Sequence, residues 1–116
     1  MKYEMKLHNN PFNLINSGSK TIELRLNDKK RQLINIGDKI VFTNTADSKQ
    51  EITVIVVNLH RFNSFEELYN TLPLLKCGYT EKDITKANPK DMEIYYSKEQ
   101  QEEYGVVGIE IRTIDK

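Results

Sequence analysis

The chain has 116 residues, a length that fits one domain spanning 1–116, and its 38% hydrophobic and 29% charged residues, with only five glycines and three prolines, exclude a disordered or collagen-like chain. Seventeen basic side chains balance seventeen acidic ones, which argues against coating nucleic acid through bulk positive charge and requires any anionic ligand to be held locally. The single cysteine, Cys77, cannot form an internal disulfide and only His8 and His60 accompany it, so a cytoplasmic protein without metal or other cofactor is expected.

The segment Met1-Lys2-Tyr3-Glu4-Met5-Lys6 carries no apolar run of signal-peptide length, and no stretch reaches the ~18 apolar residues of a membrane span, so no membrane partner is expected. Asn10-Pro11 followed by Phe12, Leu14 and Ile15 and ending at Gly18 predicts a short helix, with Asn10 at the N-cap and Pro11 in the first turn. From Thr21 to Leu26 the residues alternate, with Ile22, Leu24 and Leu26 on one face and Thr21, Glu23 and Arg25 on the other, as in a half-buried strand. Asp28-Lys29-Lys30-Arg31 is a charged turn, and Gly37-Asp38 turns into a second strand at Ile40-Val41-Phe42.

Asn44 to Lys49 reads as a hairpin loop. Ile52 to Leu59 has β-branched residues on both parities, which predicts a strand buried on two sides or curled around a barrel wall. Ser64 and Glu67 match a capping box that opens a helix through Leu72, ended by Pro73. Gly78 to Pro89 is irregular and polar, with helical turns at Thr80 to Ile84 and after Asn88-Pro89, and is expected on the surface. Lys98 to Tyr104 is a polar helix capped by Ser97 and left at Gly105, before a last strand from Val106 to Ile114 in which Val107, Ile109 and Ile111 share a face. Strands joined by hairpins and short helices, without regular βα alternation, predict an α+β protein with a mostly antiparallel sheet closed into a small barrel.

The residues that carry chemistry gather in Gly18-Ser19-Lys20-Thr21-Ile22-Glu23-Leu24-Arg25. Strand geometry points Glu23 and Arg25 the same way, with Lys20 just before them. Arg25 suits a bidentate contact to phosphate or a base edge, Lys20 a movable charge or an amine base, and Glu23 an acceptor or proton relay. The plainer reading is a solvated strand face with an ordinary ion pair. Tyr95-Tyr96-Ser97 is a second candidate, because a tyrosine can stack a base and a serine can contact phosphate. Ser97 with Gln100 also fits a helix cap, and the tyrosines also fit half-buried positions. Lys29, Lys30 and Arg31 read as a solvated run, Arg61 as a side chain that can reach the cleft, His60 as a hydrogen-bonded structural residue and Cys77 as a half-buried thiol.

Gly18, Lys20, Glu23 and Arg25 form the pattern G-x-K-x-x-E-x-R, which resembles the signature of the ASCH superfamily, relatives of the PUA fold. Pro11-Phe12, Gly37-Asp38 with Ile40 and Phe42, Tyr96-Ser97, and Gly105-Val106-Val107-Gly108-Ile109 match as well. The resemblance implies a small PUA-like barrel with a cleft under the motif strand and RNA or a nucleotide as partner, bound through Lys20, Glu23, Arg25, Tyr96 and Ser97. A protein partner is left open, and a further reading is a protein interaction module whose motif serves only the fold. The alternative it implies is a hydrolase, a ribonuclease or an amidohydrolase, with Lys20 and Glu23 as catalytic residues. Some small bacterial relatives remove the acetyl group of N4-acetylcytidine with a Lys, a Thr and a downstream Glu. Lys20 matches their Lys, but Glu23 stands where they place Thr, and Thr21 is displaced by two residues. That departure removes the expected hydroxyl nucleophile.

Overall fold

A computed structural model describes residues 1–114. Five strands build one sheet: β1 (Lys2–Leu7), β2 (Ile22–Leu26), β3 (Lys39–Asn44), β4 (Asp47–Phe62) and β5 (Val106–Thr113), in spatial order β1-β3-β4-β5-β2. All ladders are antiparallel except β1 with β3. Helix α1 (Asn9–Asn16) follows β1, α2 (Phe65–Thr71) follows β4, and α3 (Lys98–Tyr104) precedes β5. The class is the α+β expected.

The sheet curls, but among the described residues no backbone ladder joins its outer strands. Instead Arg25 on β2 donates from Nη2 to the Lys6 carbonyl on β1 at 2.8 Å. The result is a half-barrel whose remaining seam is bridged by a side chain.

Strand β1 was not assigned from sequence, although Tyr3, Met5 and Leu7 alternate with Lys2, Glu4 and Lys6 as a half-buried strand should. Met5 and Leu7 are buried. Helix α1 starts at Asn9, with His8 at the N-cap and no side-chain cap bond, so Asn10 is helical instead of capping. Its buried side chains are Phe12 and Ile15.

The expected loop from Asn44 to Lys49 is a tight turn inside a continuous hairpin, since Asn44 pairs with Asp47. The Asn44 side chain closes it: Oδ1 accepts from Ala46 N at 2.9 Å, and Nδ2 donates to Asn9 and Gln50. Strand β4 therefore runs for 16 residues. Its mixed parity reflects a bulge between Val56 and Asn58 instead of burial on two sides. Ile52, Val54 and Val56 are buried, Val57 is exposed, and the extra residue returns Leu59 to the core face against the parity of Val56.

Two cores lie on the two faces of the sheet. One collects Phe12, Ile15, Ile40, Phe42, Val54, Val107 and Ile109; the other packs Ile22, Leu24 and Val106 against Phe65, Leu68 and Tyr69 of α2. Ser64 caps α2 by accepting from Glu67 N at 3.2 Å. Gly105 leaves α3 at φ +72, and a Cβ there would stand 2.8 Å from the Phe62 carbonyl, so only glycine fits this exit.

Candidate functional site

Strand β2 is buried on both faces, and that places the motif. Glu23 pairs with Ile109 and Arg25 with Val107 of β5, and directly paired residues share a sheet face. The polar side chains of β2 therefore point into the concave side of the half-barrel, at its seam. The solvated strand face considered from sequence is corrected: Glu23 is 3% exposed and Lys20 9%. Lys20 reaches the same place from the loop after α1, anchored by its amide on the Leu14 carbonyl and by the Thr21 amide on the Lys76 carbonyl.

The three charges form one buried triad. Lys20 Nζ lies 2.7 Å from Glu23 Oε1, and Arg25 Nε lies 2.7 Å from Glu23 Oε2. Burial by itself raises the Glu23 carboxyl, but the Lys20 and Arg25 cations and their hydrogen bonds outweigh it and hold the group below its ordinary range. Burial likewise works against the Arg25 charge, and Glu23 first and Tyr96 second more than restore it. One carboxylate thus offsets one of two cations, leaving a local surplus of one positive charge.

The triad forms one wall of a cleft of about 430 Å³. The opposite wall comes from the stretch expected merely on the surface. That stretch contributes Tyr79 and Asp83, and the 3-10 turn Pro89–Ile94 that follows it contributes Asp91 and Met92. Asn88 and Asp91 form a reciprocal capping box there. The Tyr79 hydroxyl donates to Asp91 Oδ2 at 2.8 Å and meets the Tyr69 hydroxyl at 2.6 Å. Burial first, then these two bonds, push the Tyr79 phenol far above its usual range. Asp83 and Asp91 balance Lys6 and the triad surplus, so the cleft sums to three cations and three carboxylates.

Tyr96 and Tyr95 line the cleft as well. Tyr96 stacks on Phe65 with centroids 6.2 Å apart and an interplanar angle of 16°, which half-buries it. Tyr95 and Ile94 are exposed at the rim. Ser97 stays outside the cleft lining; its hydroxyl accepts from Gln100 N in a capping box that opens α3. Thr21 is also absent from the lining.

The remaining candidates lie elsewhere. Arg31 pairs with Asp28 at 3.0 Å, and Lys29 and Lys30 are exposed. Arg61 turns away from the cleft to the Asn27 side chain and the Ile34 carbonyl. His60 Nε2 pairs with Glu110 at 2.9 Å. Cys77 does line the cleft, but burial pushes its thiol up to about 11, which keeps it protonated.

Sequence reasoning missed Tyr69, Tyr79 and Asp91. The spacing of Asn88 and Asp91 is a readable cap signal, whereas nothing near Tyr79 announces its partners. Among the described residues, no group of three or more His, Cys, Asp or Glu side chains is placed to hold a metal ion, and no helix is long and apolar enough to cross a membrane.

Residues 5–115 match the family model described as ASCH domain. The chain is similar to the crystal structure of the hypothetical protein PH0355, at 34% identity and a TM-score of 0.81, covering 98% of this chain and 100% of that one. It is also similar to the solution structure of protein PF0455 from Pyrococcus furiosus, at 29% identity and a TM-score of 0.74, with both chains covered completely. An ASCH crystal structure from Zymomonas mobilis aligns at 16% identity and a TM-score of 0.65 over 94% of this chain and 65% of that one, a likeness of fold alone. No curated protein matches the sequence.

Proposed function

The chain belongs to the ASCH domain family, and from that premise we propose that its cleft recognises one nucleotide, within RNA or free, chiefly through the polar edge of the base. The observation that carries this reading is the placement of Glu23 between Lys20 and Arg25, 2.7 Å from each. A site built to collect phosphate would leave both cations uncompensated. Here one carboxylate neutralises one of them, and Asp83 and Asp91 face the surplus. Lys20 retains N–H groups beyond its bond to Glu23, and Arg25 retains others beyond Glu23 and Lys6, so both can donate to base carbonyls or ring nitrogens. Tyr95 and Tyr96 supply aromatic faces for stacking. A volume of about 430 Å³ lies in the range of small-ligand pockets.

Binding is favoured over the hydrolytic alternative by the state of the ionisable groups. A general base works best with a pKa near the operating pH, and Glu23 is held below the ordinary carboxylate range. Cys77 is held as a thiol.

Titration with a nucleoside, its 5′-monophosphate and a short single-stranded RNA tests the reading. The nucleoside should bind within about threefold of the monophosphate, because a phosphate gains little where the cleft charge sums to zero. A monophosphate that binds far more tightly, and is displaced by inorganic phosphate, refutes base recognition. No binding of any of the three refutes the nucleotide reading altogether.

A further inference from the structure

A lysine side chain has many rotamers and a strongly hydrated ammonium, so holding one in a buried position requires walls on more than one side. Glu23 is one wall for Lys20. The other is bare backbone: a Cβ at Gly78 would stand 3.3 Å from Lys20 Cδ and 3.7 Å from both Cε and Nζ. Gly78 also sits at φ +109, a conformation that other residues rarely adopt. The stem of Lys20 lies on the one position of this loop where no side chain intervenes.

The loop is itself tied on both sides. The Lys76 carbonyl accepts from Thr21 N at 2.9 Å, and Tyr79 N donates to the Leu74 carbonyl. The single hydroxyl hydrogen of Tyr79 goes to Asp91, so the 2.6 Å contact with Tyr69 requires Tyr69 to be the donor. Tyr69 belongs to α2 and Asp91 to the Pro89–Ile94 turn. The residue after Gly78 is thereby clamped between two elements that also pack against each other in the second core.

We propose that Gly78 is a positioning residue for the Lys20 ammonium and that the hydroxyl relay Tyr69–Tyr79–Asp91 holds Gly78 against it. The consequence for ligand affinity rests on the nucleotide reading above; the positioning itself does not. Removing the relay leaves Lys20 its ion pair but loosens the backbone it lies on. A Cβ at Gly78 crowds the Lys20 stem at Cδ and strains the backbone at φ +109, so the stem or the loop must shift.

Reductive methylation of the folded protein with formaldehyde and a borohydride, followed by peptide mass mapping, reads the position of Lys20 without any ligand. Exposed Lys29 and Lys82 serve as internal standards. In the unsubstituted protein Lys20 should react more slowly than both. Its rate relative to them should rise about tenfold in Gly78→Ala and about threefold in Tyr79→Phe, as the ammonium regains rotamers and solvent. A purely structural role for this loop would lower the thermal midpoint and leave the relative rate of Lys20 in the folded protein unchanged. That unchanged rate in both variants overturns the proposal. Near-UV circular dichroism checks folding; if Gly78→Ala does not fold, Tyr79→Phe decides alone, by the same criterion. Because no nucleotide is present, this result stands apart from the success or failure of nucleotide binding.

Discussion

Glu23→Gln is the most informative single change, because it removes one charge and almost no volume. Lys20 and Arg25 would then remain in a site where their side chains are only 10% and 14% exposed, facing a neutral amide. Breaking a buried ion pair from one side typically costs about 3–5 kcal/mol, since the partner is left uncompensated. The lower end applies here. Arg25 keeps the Lys6 carbonyl at 2.8 Å, and the long Lys20 stem can carry its ammonium toward the cleft opening. For 116 residues, an unfolding entropy of roughly 2.1 cal/mol/K per residue makes about 3 kcal/mol equivalent to a drop of about 12 °C in Tm. Total stability of order 6–17 kcal/mol leaves the variant folded. The pH dependence supplies a second check. The folded Glu23 carboxyl titrates below its ordinary 4.5, so its contribution is complete above 4.5 and is lost as pH falls through the lower folded value. The gap between unsubstituted protein and Glu23→Gln should therefore be full at pH 7 and close in acid. Urea unfolding at pH 7 and pH 3 measures both. A variant within about 0.5 kcal/mol of the unsubstituted protein at pH 7, the scatter of ordinary surface changes, would mean that the triad behaves as a solvated pair and the reasoning fails.

Joint replacement of Lys20 and Arg25 by Ala should weaken binding of a short RNA by at least about tenfold, and the unsubstituted protein should show a salt slope near about −0.7, the value for one phosphate contact on a single strand; a slope several times steeper would indicate surface electrostatics instead. Tyr95→Ala, at an exposed rim position, should cost about 1–3 kcal/mol of RNA affinity with Tm unchanged, as read by titration and a thermal scan. Ser97→Ala should lower unfolding free energy by about 1 kcal/mol through loss of the α3 cap and leave nucleotide affinity unaltered. Cys77, with its thiol raised to about 11, should resist iodoacetamide at pH 8 in the folded protein and react readily once unfolded; prompt alkylation of the folded protein would contradict the burial argument.

The parts of this protein legible in sequence are those governed by neighbours along the chain. The alternation of Ile22 to Leu26, the caps at Ser64 and Ser97 and the glycine exit at Gly105 depend on backbone geometry over a few residues, and each stands where its local pattern placed it. Alternation in Lys2–Leu7 was equally local and equally legible, with the Asn10-Pro11 signal just beyond it. The bulge at Val57 and the tight turn at Thr45 misled for a tertiary reason: a residue added to a ladder shifts parity, and only the partner strand fixes where the addition falls.

The motif shows the same division. Sequence by itself determined that Glu23 and Arg25 project to one side of a strand with Lys20 close before them, because the strand period is two whatever the surroundings. It could not determine whether that side meets water or the inside of a half-barrel. The pairing of β2 with β5 and the bond from Arg25 across the seam to β1 decided this, turning a surface charge pattern into a buried triad. The second wall of the cleft was likewise a tertiary decision. Tyr69, Tyr79 and Asp91 stand ten and twelve residues apart along the chain, and their hydroxyl relay exists only because α2 and the Pro89–Ile94 turn pack together. Electrostatic energy and burial depend on distance through space, and that distance is set by packing between segments whose separation along the chain carries no periodic signal.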